Sequence, residues 1–195
     1  YLADCFGLRL LNRRGCFPQF DKFIEQTKDV WTHLVDIRKS FEPRAEELAK
    51  KYALAPYTMF IGSGALWGET ILFSMCILEE MQWKRTRYIT SADFFHGTLE
   101  LVEPGVPVFL FMGEDENRKL DERVRAFLTR GVTGDTDINI IDTAEFAIPG
   151  LDDEFRVIVS PWILSSLITD RLAAYYETVT KHNLNYRRYY HQFDY

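Results

Sequence analysis

Cysteine is scarce in this chain of 195 residues: Cys5, Cys16 and Cys76 are odd in number and form no CxxC spacing. A disulfide scaffold and a zinc site are both disfavoured, and a reducing cytoplasm fits best. Long apolar runs are lacking as well. The stretch from Thr70 to Leu78 is too short to span a bilayer and ends in Glu79-Glu80, so no membrane segment is read, and no signal peptide is visible. Basic charge is also in short supply. The formal net charge is -6, and the nearest thing to a basic block, Lys84-Arg85-Thr86-Arg87, reads as the cap of a helix C-terminus. A nucleic-acid partner is therefore not expected. Clustered metal ligands, a GxSxG elbow and a P-loop are all missing, and so is a dinucleotide fingerprint. After Gly62 and Gly64 the third glycine falls at Gly68, one residue late, beside a bulky Trp67. The chain opens on Tyr1 inside an apparent helix, which suggests a piece of a longer protein.

What is present is ordinary globular material, 47% hydrophobic and 27% charged, enough to bury a sizeable core. Leu2 to Asn12 reads as a helix stopped near Gly15. Phe20 to about Ser40 carries apolar residues at helical spacing, and Pro43 is expected to open a shorter helix to about Tyr52. From Pro56 the texture changes. Short β-prone runs at Tyr57 to Ile61, Arg87 to Thr90, Val106 to Phe111 and Ile138 to Ile141 alternate with helices. The helices are read at about Leu66 to Lys84 and Glu116 to Arg130, with two more between Asp152 and His182 broken near Pro161. Strands with nearly continuous apolar runs, separated by helices, predict a parallel sheet covered on both faces. The expected organisation is a helical segment over 1–54, a three-layer α/β/α domain with closing helices over 55–182, and an aromatic, arginine-bearing tail over 183–195.

In such sheets ligands gather beyond the carboxyl ends of the strands, which draws attention to three features. Gly62-Ser63-Gly64 ends a strand and begins a helix, so it is either an anion-holding turn or simply a tight connection. Glu79-Glu80 lies near the C-terminus of an otherwise apolar helix, against the helix dipole. Either Lys84 and Arg85 compensate it, or one carboxylate is partly desolvated and usable as a base. His96, in Phe94-Phe95-His96-Gly97, is the one histidine placed just after a strand of the sheet. From the residues alone it is as readily a packed histidine as a titrating one.

Taken together, "FIGSG", the apolar helix ending "CILEEMQW", "ITSADFFHGTLELVEPGVPVFLF", "DERVRAFL" and the closing "HNLNYRRYYHQFDY" resemble a sugar isomerase (SIS) domain. The resemblance is to the C-terminal SIS half of the fructosamine- and glucosamine-6-phosphate deglycases, relatives of the isomerase part of glucosamine-6-phosphate synthase. It implies a flavodoxin- or Rossmann-like fold, Glu80 as a base at the carbon next to a carbonyl, and His96 as an acid acting on oxygen. It also implies a substrate in which a 6-phosphorylated hexose is joined to an amino acid. The products would be hexose 6-phosphate and a free amine, with no metal or redox cofactor. Gly62, Ser63, Gly64, Asp93, Arg187, Arg188 and Tyr189 are the implied substrate contacts, and a homodimer is implied because the histidine often serves the neighbouring subunit.

Three departures shape these expectations. Asp93 stands where the subfamily often has a glutamate, which points to this protein's own substrate. Ile77 replaces a lysine found in the synthases and speaks against amino transfer. The Ser/Thr-rich phosphate loops of the family's first half have no match, leaving half of an active-site framework. The alternatives are an aminotransferring isomerase domain and a non-catalytic sugar-phosphate sensor.

Overall fold

The computed structural model describes residues 1–131 and 134–194; Tyr195, the last residue of the expected tail, lies outside them. Three helices open the chain: α1 (Leu2–Arg13), α2 (Phe20–Thr27) and α3 (Val30–Tyr52). The strands β1 (Thr58–Gly62), β2 (Thr86–Ile89), β3 (Val108–Met112) and β4 (Ile138–Asp142) follow, interleaved with α4 (67–81), α5 (Ser91–Phe94) and α6 (Arg118–Leu128). A last helix, α7 (Asp153–Thr180), leads into the tail. The four strands form one parallel sheet in the order β2-β1-β3-β4. Thr58 sits opposite Thr86, Met59 opposite Val108, and Val108 opposite Ile138.

Every residue of β1 and β3 is buried, and alternate side chains enter two separate cores, as the twofold period of a strand requires. Phe60, Phe109, Phe111 and Ile141 join the larger core under α3, α4 and α7, while Met59, Ile61, Val108, Leu110 and Met112 join the smaller one under α5 and α6. Phe60 is the hub of the larger core. Its ring stacks on Phe109 at 5.2 Å and meets Phe73 edge-on at 5.5 Å, and Tyr52 meets Phe109 edge-on at 5.7 Å. Burying each such ring contributes about 1.5–3 kcal/mol. The architecture is the expected three-layer sandwich. Helix α3 is part of it, because its Leu34, Phe41, Ala45 and Tyr52 lie in the larger core with α7, whereas α1 has no buried residue.

Some boundaries differ from the sequence expectations. The helix expected from Phe20 to Ser40 breaks between Thr27 and Val30, and α3 then runs through Pro43 instead of starting there. A helix-interior proline costs about 3 kcal/mol. Burial of Phe41, Ala45, Leu48 and Ala49 on one stripe, either side of Pro43, offsets that cost. Pro161 likewise fails to break α7. Its missing N–H would have met the carbonyl of Val157 four residues earlier, and the Ser160 hydroxyl donates to that carbonyl instead at 3.3 Å. By length and composition α7 is apolar enough to cross a membrane. Its apolar residues Phe155, Val159, Ile163, Leu164 and Leu167 are core residues facing α3 and the sheet, which accounts for that character. Cys5, Cys16 and Cys76 are free thiols.

Candidate active site

Helix α4 runs antiparallel to the strands it connects, so its C-terminal end arrives at the amino edge of the sheet. From Leu72 to Met81 it winds as a π-helix, a wider winding that α7 also adopts over Ser166–Leu172. It ends with Trp83 in the left-handed region at φ 54, while the Lys84 N–H returns to the Leu78 carbonyl at 2.8 Å. Glu79 and Glu80 sit in the last turn. Their partners are not Lys84 and Arg85, as the compensation reading had it. Glu79 Oε1 accepts from the Thr86 hydroxyl at 2.6 Å, and Glu80 Oε1 accepts from Arg187 Nε at 2.9 Å.

That arginine comes from the tail, and Gln82 fastens the tail in place. Buried Gln82 accepts from the Thr180 hydroxyl at 2.8 Å and donates to the His182 carbonyl at 2.7 Å, tying the end of α7 to the end of α4. The chain then turns at Lys181, φ 58. His182 meets Trp83 edge-on at 4.4 Å, and Arg187 Nη1 donates to the carbonyls of Leu184 at 2.7 Å and Tyr186 at 2.9 Å. The guanidinium facing Glu80 is thus fixed by its own backbone. Next to it, Arg188 lies over the Trp83 ring at 4.3 Å, a cation–π contact.

These residues wall a cleft of about 380 Å³, lined by Glu79, Glu80, Trp83, Lys84, Arg187, Arg188, Tyr189 and Tyr190. Burial pushes the Lys84 amine below its ordinary value. Of the expected site residues, Glu80, Arg187, Arg188 and Tyr189 come together here from positions more than a hundred residues apart. Sequence reasoning missed Gln82, Trp83, Lys84 and Tyr190. Lys84 belongs to the short basic run taken for a cap, and the positive φ of a tryptophan leaves no mark in a sequence.

The other expected residues lie elsewhere. His96 follows α5 at the opposite, carboxyl edge and is exposed, its backbone N–H donating to the Asp93 carbonyl at 2.9 Å. Asp93, also exposed, accepts from the Thr90 hydroxyl at 2.8 Å in the cap of α5. Helices α4 and α5 cover opposite faces of the sheet, and His96 is not among the residues that line the cleft beside Glu80.

At the carboxyl edge, Gly62-Ser63-Gly64 is engaged by the protein itself. Buried Ser63 accepts from the Ser91 N–H at 2.7 Å, and Asp115 accepts from the Ala65 N–H at 2.5 Å and the Asn117 N–H at 2.7 Å. Gly64, at φ +54, lies so close to Asp115 that an added Cβ would stand 2.1 Å from its Oδ2. Behind this turn, Asp121 is buried, accepting from the Ser91 hydroxyl at 2.5 Å and the Gly113 N–H at 3.3 Å. Burial pushes its carboxyl up to about 6, against those two hydrogen bonds. For Asp142 burial acts upward too, but the Arg118 fork, at 2.9 and 2.6 Å, and the Ala144 N–H hold it below the usual range. Among the described residues no group of three His, Cys, Asp or Glu side chains is gathered as for a metal.

No family model matches the chain. It is 28% identical over 188 residues to the fructosamine deglycase of Bacillus subtilis, covering 94% of this chain and 54% of that protein. It is 29% identical over 195 residues to the fructoselysine 6-phosphate deglycase of Escherichia coli K12, covering 97% of this chain and 54% of that one. The chain thus spans about half the length of the curated relatives it matches. Among solved structures, one described as a candidate phosphosugar isomerase of Bacillus subtilis superposes with a TM-score of 0.86 at 26% identity, over 95% of this chain and 55% of the other. The C-terminal domain of glucosamine-fructose-6-phosphate aminotransferase from Francisella tularensis superposes with a TM-score of 0.66 at 14% identity, over 92% and 51%, a likeness of fold alone. The resemblance to deglycases with an SIS fold therefore holds across nearly the whole chain.

Proposed function

We propose that this chain is the part of a phosphosugar deglycase that carries the proton-transfer residues. Its substrate is a 6-phosphorylated hexose joined through C1 to the amine of an amino acid. The observation that carries the reading is Glu80 itself. Its carboxylate, the base that the resemblance implies, lines a cleft and is held by Arg187 at 2.9 Å. Glu80 removes a proton from C1 of the ketoamine, and an acid delivers a proton to the C2 oxygen, giving an enaminol. Return of a proton to C2 produces an imine at C1. Water adds to that carbon, the C–N bond breaks, and hexose 6-phosphate and free amine leave. Each step is a proton transfer, a hydration or an elimination, which is work for a carboxylate and an imidazole.

His96 is the acid, supplied to Glu80 by a second copy of the chain. Its exposed position on the opposite edge and opposite face from Glu80 favours this arrangement over one within a single chain. The functional unit is then a homodimer. Gly62, Ser63, Gly64 and Asp93 accompany His96 at the edge that meets the partner, while Arg187, Arg188 and Tyr189 accompany Glu80. Three free thiols agree with a cytoplasmic location. An aminotransferring isomerase is less well supported, since Ile77, in the place of the synthase lysine, packs against the apolar core.

The test incubates the full-length protein with a 6-phosphofructosamine of an amino acid and measures hexose 6-phosphate and released amine. Turnover in the wild type that is lost in Glu80→Gln and in His96→Ala supports the assignment. An inactive wild type, or variants that keep full rate, refutes it.

A further inference from the structure

The cleft beside Glu80 holds more positive charge than its own carboxylates use. Of its three cations, Arg187 is taken by Glu80. Arg188 rests on the Trp83 ring, and neither it nor Lys84 has a carboxylate partner among the described ion pairs. The remaining acid, Glu79, is bonded to the Thr86 hydroxyl. Lys84 is half-buried, and burial disfavours its charged form. A half-buried cation at the wall of a cleft, with no carboxylate partner among the described residues, is open to an anion brought into that cleft.

We infer that Lys84 and Arg188 form an oxyanion subsite that binds the α-carboxylate of the amino-acid part of the substrate. This rests on the reading of Glu80 as the base. In an adduct made through an α-amine, the carboxylate carbon is three bonds from the reacting C1, roughly 4 Å away. In an adduct made through a lysine side-chain amine it is seven bonds away, and the 6-phosphate phosphorus is equally remote at roughly 8 Å. Lys84 lines the same cleft as Glu80, and of these anions the α-linked carboxylate is the one nearest the reacting carbon. The subsite would make the protein selective for α-linked adducts, and it gives the cation over Trp83 a task other than packing.

The experiment compares the 6-phosphofructosyl adducts of glycine and of methylamine, which differ by the carboxylate alone. Binding is measured by calorimetry on the full-length Glu80→Gln protein, where turnover does not interfere, with inorganic phosphate as a competitor. The glycine adduct should bind roughly ten- to a hundredfold more tightly. In Lys84→Gln and in Arg188→Gln, each made on Glu80→Gln, that ratio should fall toward one. Equal binding of the two adducts overturns the inference. So does a loss of affinity that is the same for both adducts and accompanied by loss of phosphate competition, which would assign the subsite to the 6-phosphate. Because binding is read without turnover, a carboxylate preference in a protein whose wild type proves inactive upholds the subsite while refuting the deglycase reading.

Discussion

Replacing Arg156 by methionine isolates the contact that joins the loop after β3 to helix α7. The Arg156 guanidinium makes a two-pronged pair with Glu114, Nε to Oε2 at 2.8 Å and Nη2 to Oε1 at 2.6 Å. It also donates to the carbonyls of Thr143 at 2.8 Å and Phe146 at 2.9 Å. The two side chains are only 11% and 15% exposed. Methionine keeps much of the stem but leaves the Glu114 carboxylate with the Thr143 hydroxyl, at 2.8 Å, as its remaining described donor. Breaking a fully buried pair costs about 3–5 kcal/mol. The residual exposure here lowers that to about 2–4, a fall in Tm of roughly 4–16 °C for a chain of this size. Thermal and urea denaturation of wild type, Arg156→Met, Glu114→Gln and the double variant supply the assay. The double variant, having no stranded charge, should recover at least about 1 kcal/mol relative to Arg156→Met. A drop under about 2 °C in Arg156→Met, or a double variant no more stable than that single, refutes the reasoning.

Two further outcomes follow from the carboxyl edge. Gly64→Ala forces a left-handed backbone on alanine and drives its Cβ into Asp115, so urea denaturation should show a loss of about 1–3 kcal/mol. Asp115→Ala in the same chain should restore part of it, and a Gly64→Ala protein as stable as wild type contradicts the geometry. Asp121, with a carboxyl raised from 3.8 to about 6, holds a proton in the folded chain over a range where the unfolded chain has released it. Its stabilising contribution is therefore complete below pH about 3.8 and lost as pH rises through about 6, by up to about 3 kcal/mol. The stability of wild type minus that of Asp121→Asn should fall across that window, and a flat difference would contradict the assignment.

The sheet and its covering were legible because Met59 to Ile61 in β1 and all of β3 are apolar runs, and because the helices between strands carry their apolar stripes at helical spacing. Pro43 and Pro161 misled for one reason: local backbone preference was weighed without the buried stripes that run past both prolines. Glu80 and His96 were singled out through the resemblance that their motifs carry. The motifs also implied a role for the tail, yet nothing local in the sequence could show that Gln82 ties residues 180 and 182 to α4, or that Arg187 lands on Glu80. Those contacts span about a hundred residues of chain and have no periodicity to betray them. Lys84 was hidden by a sound general rule, that cations favour helix C-termini, which explained its presence without the cleft.

The claim that Glu80 and His96 meet only across two copies is tested most directly by mixing two inactive proteins. Full-length Glu80→Gln and His96→Ala are denatured together, refolded, and assayed on a 6-phosphofructosamine. In random dimers half are mixed, and each mixed dimer has one site with both residues intact, so about a quarter of wild-type activity should return. If the two residues served the same chain's site, every site in the mixture would lack one of them, and no activity would return.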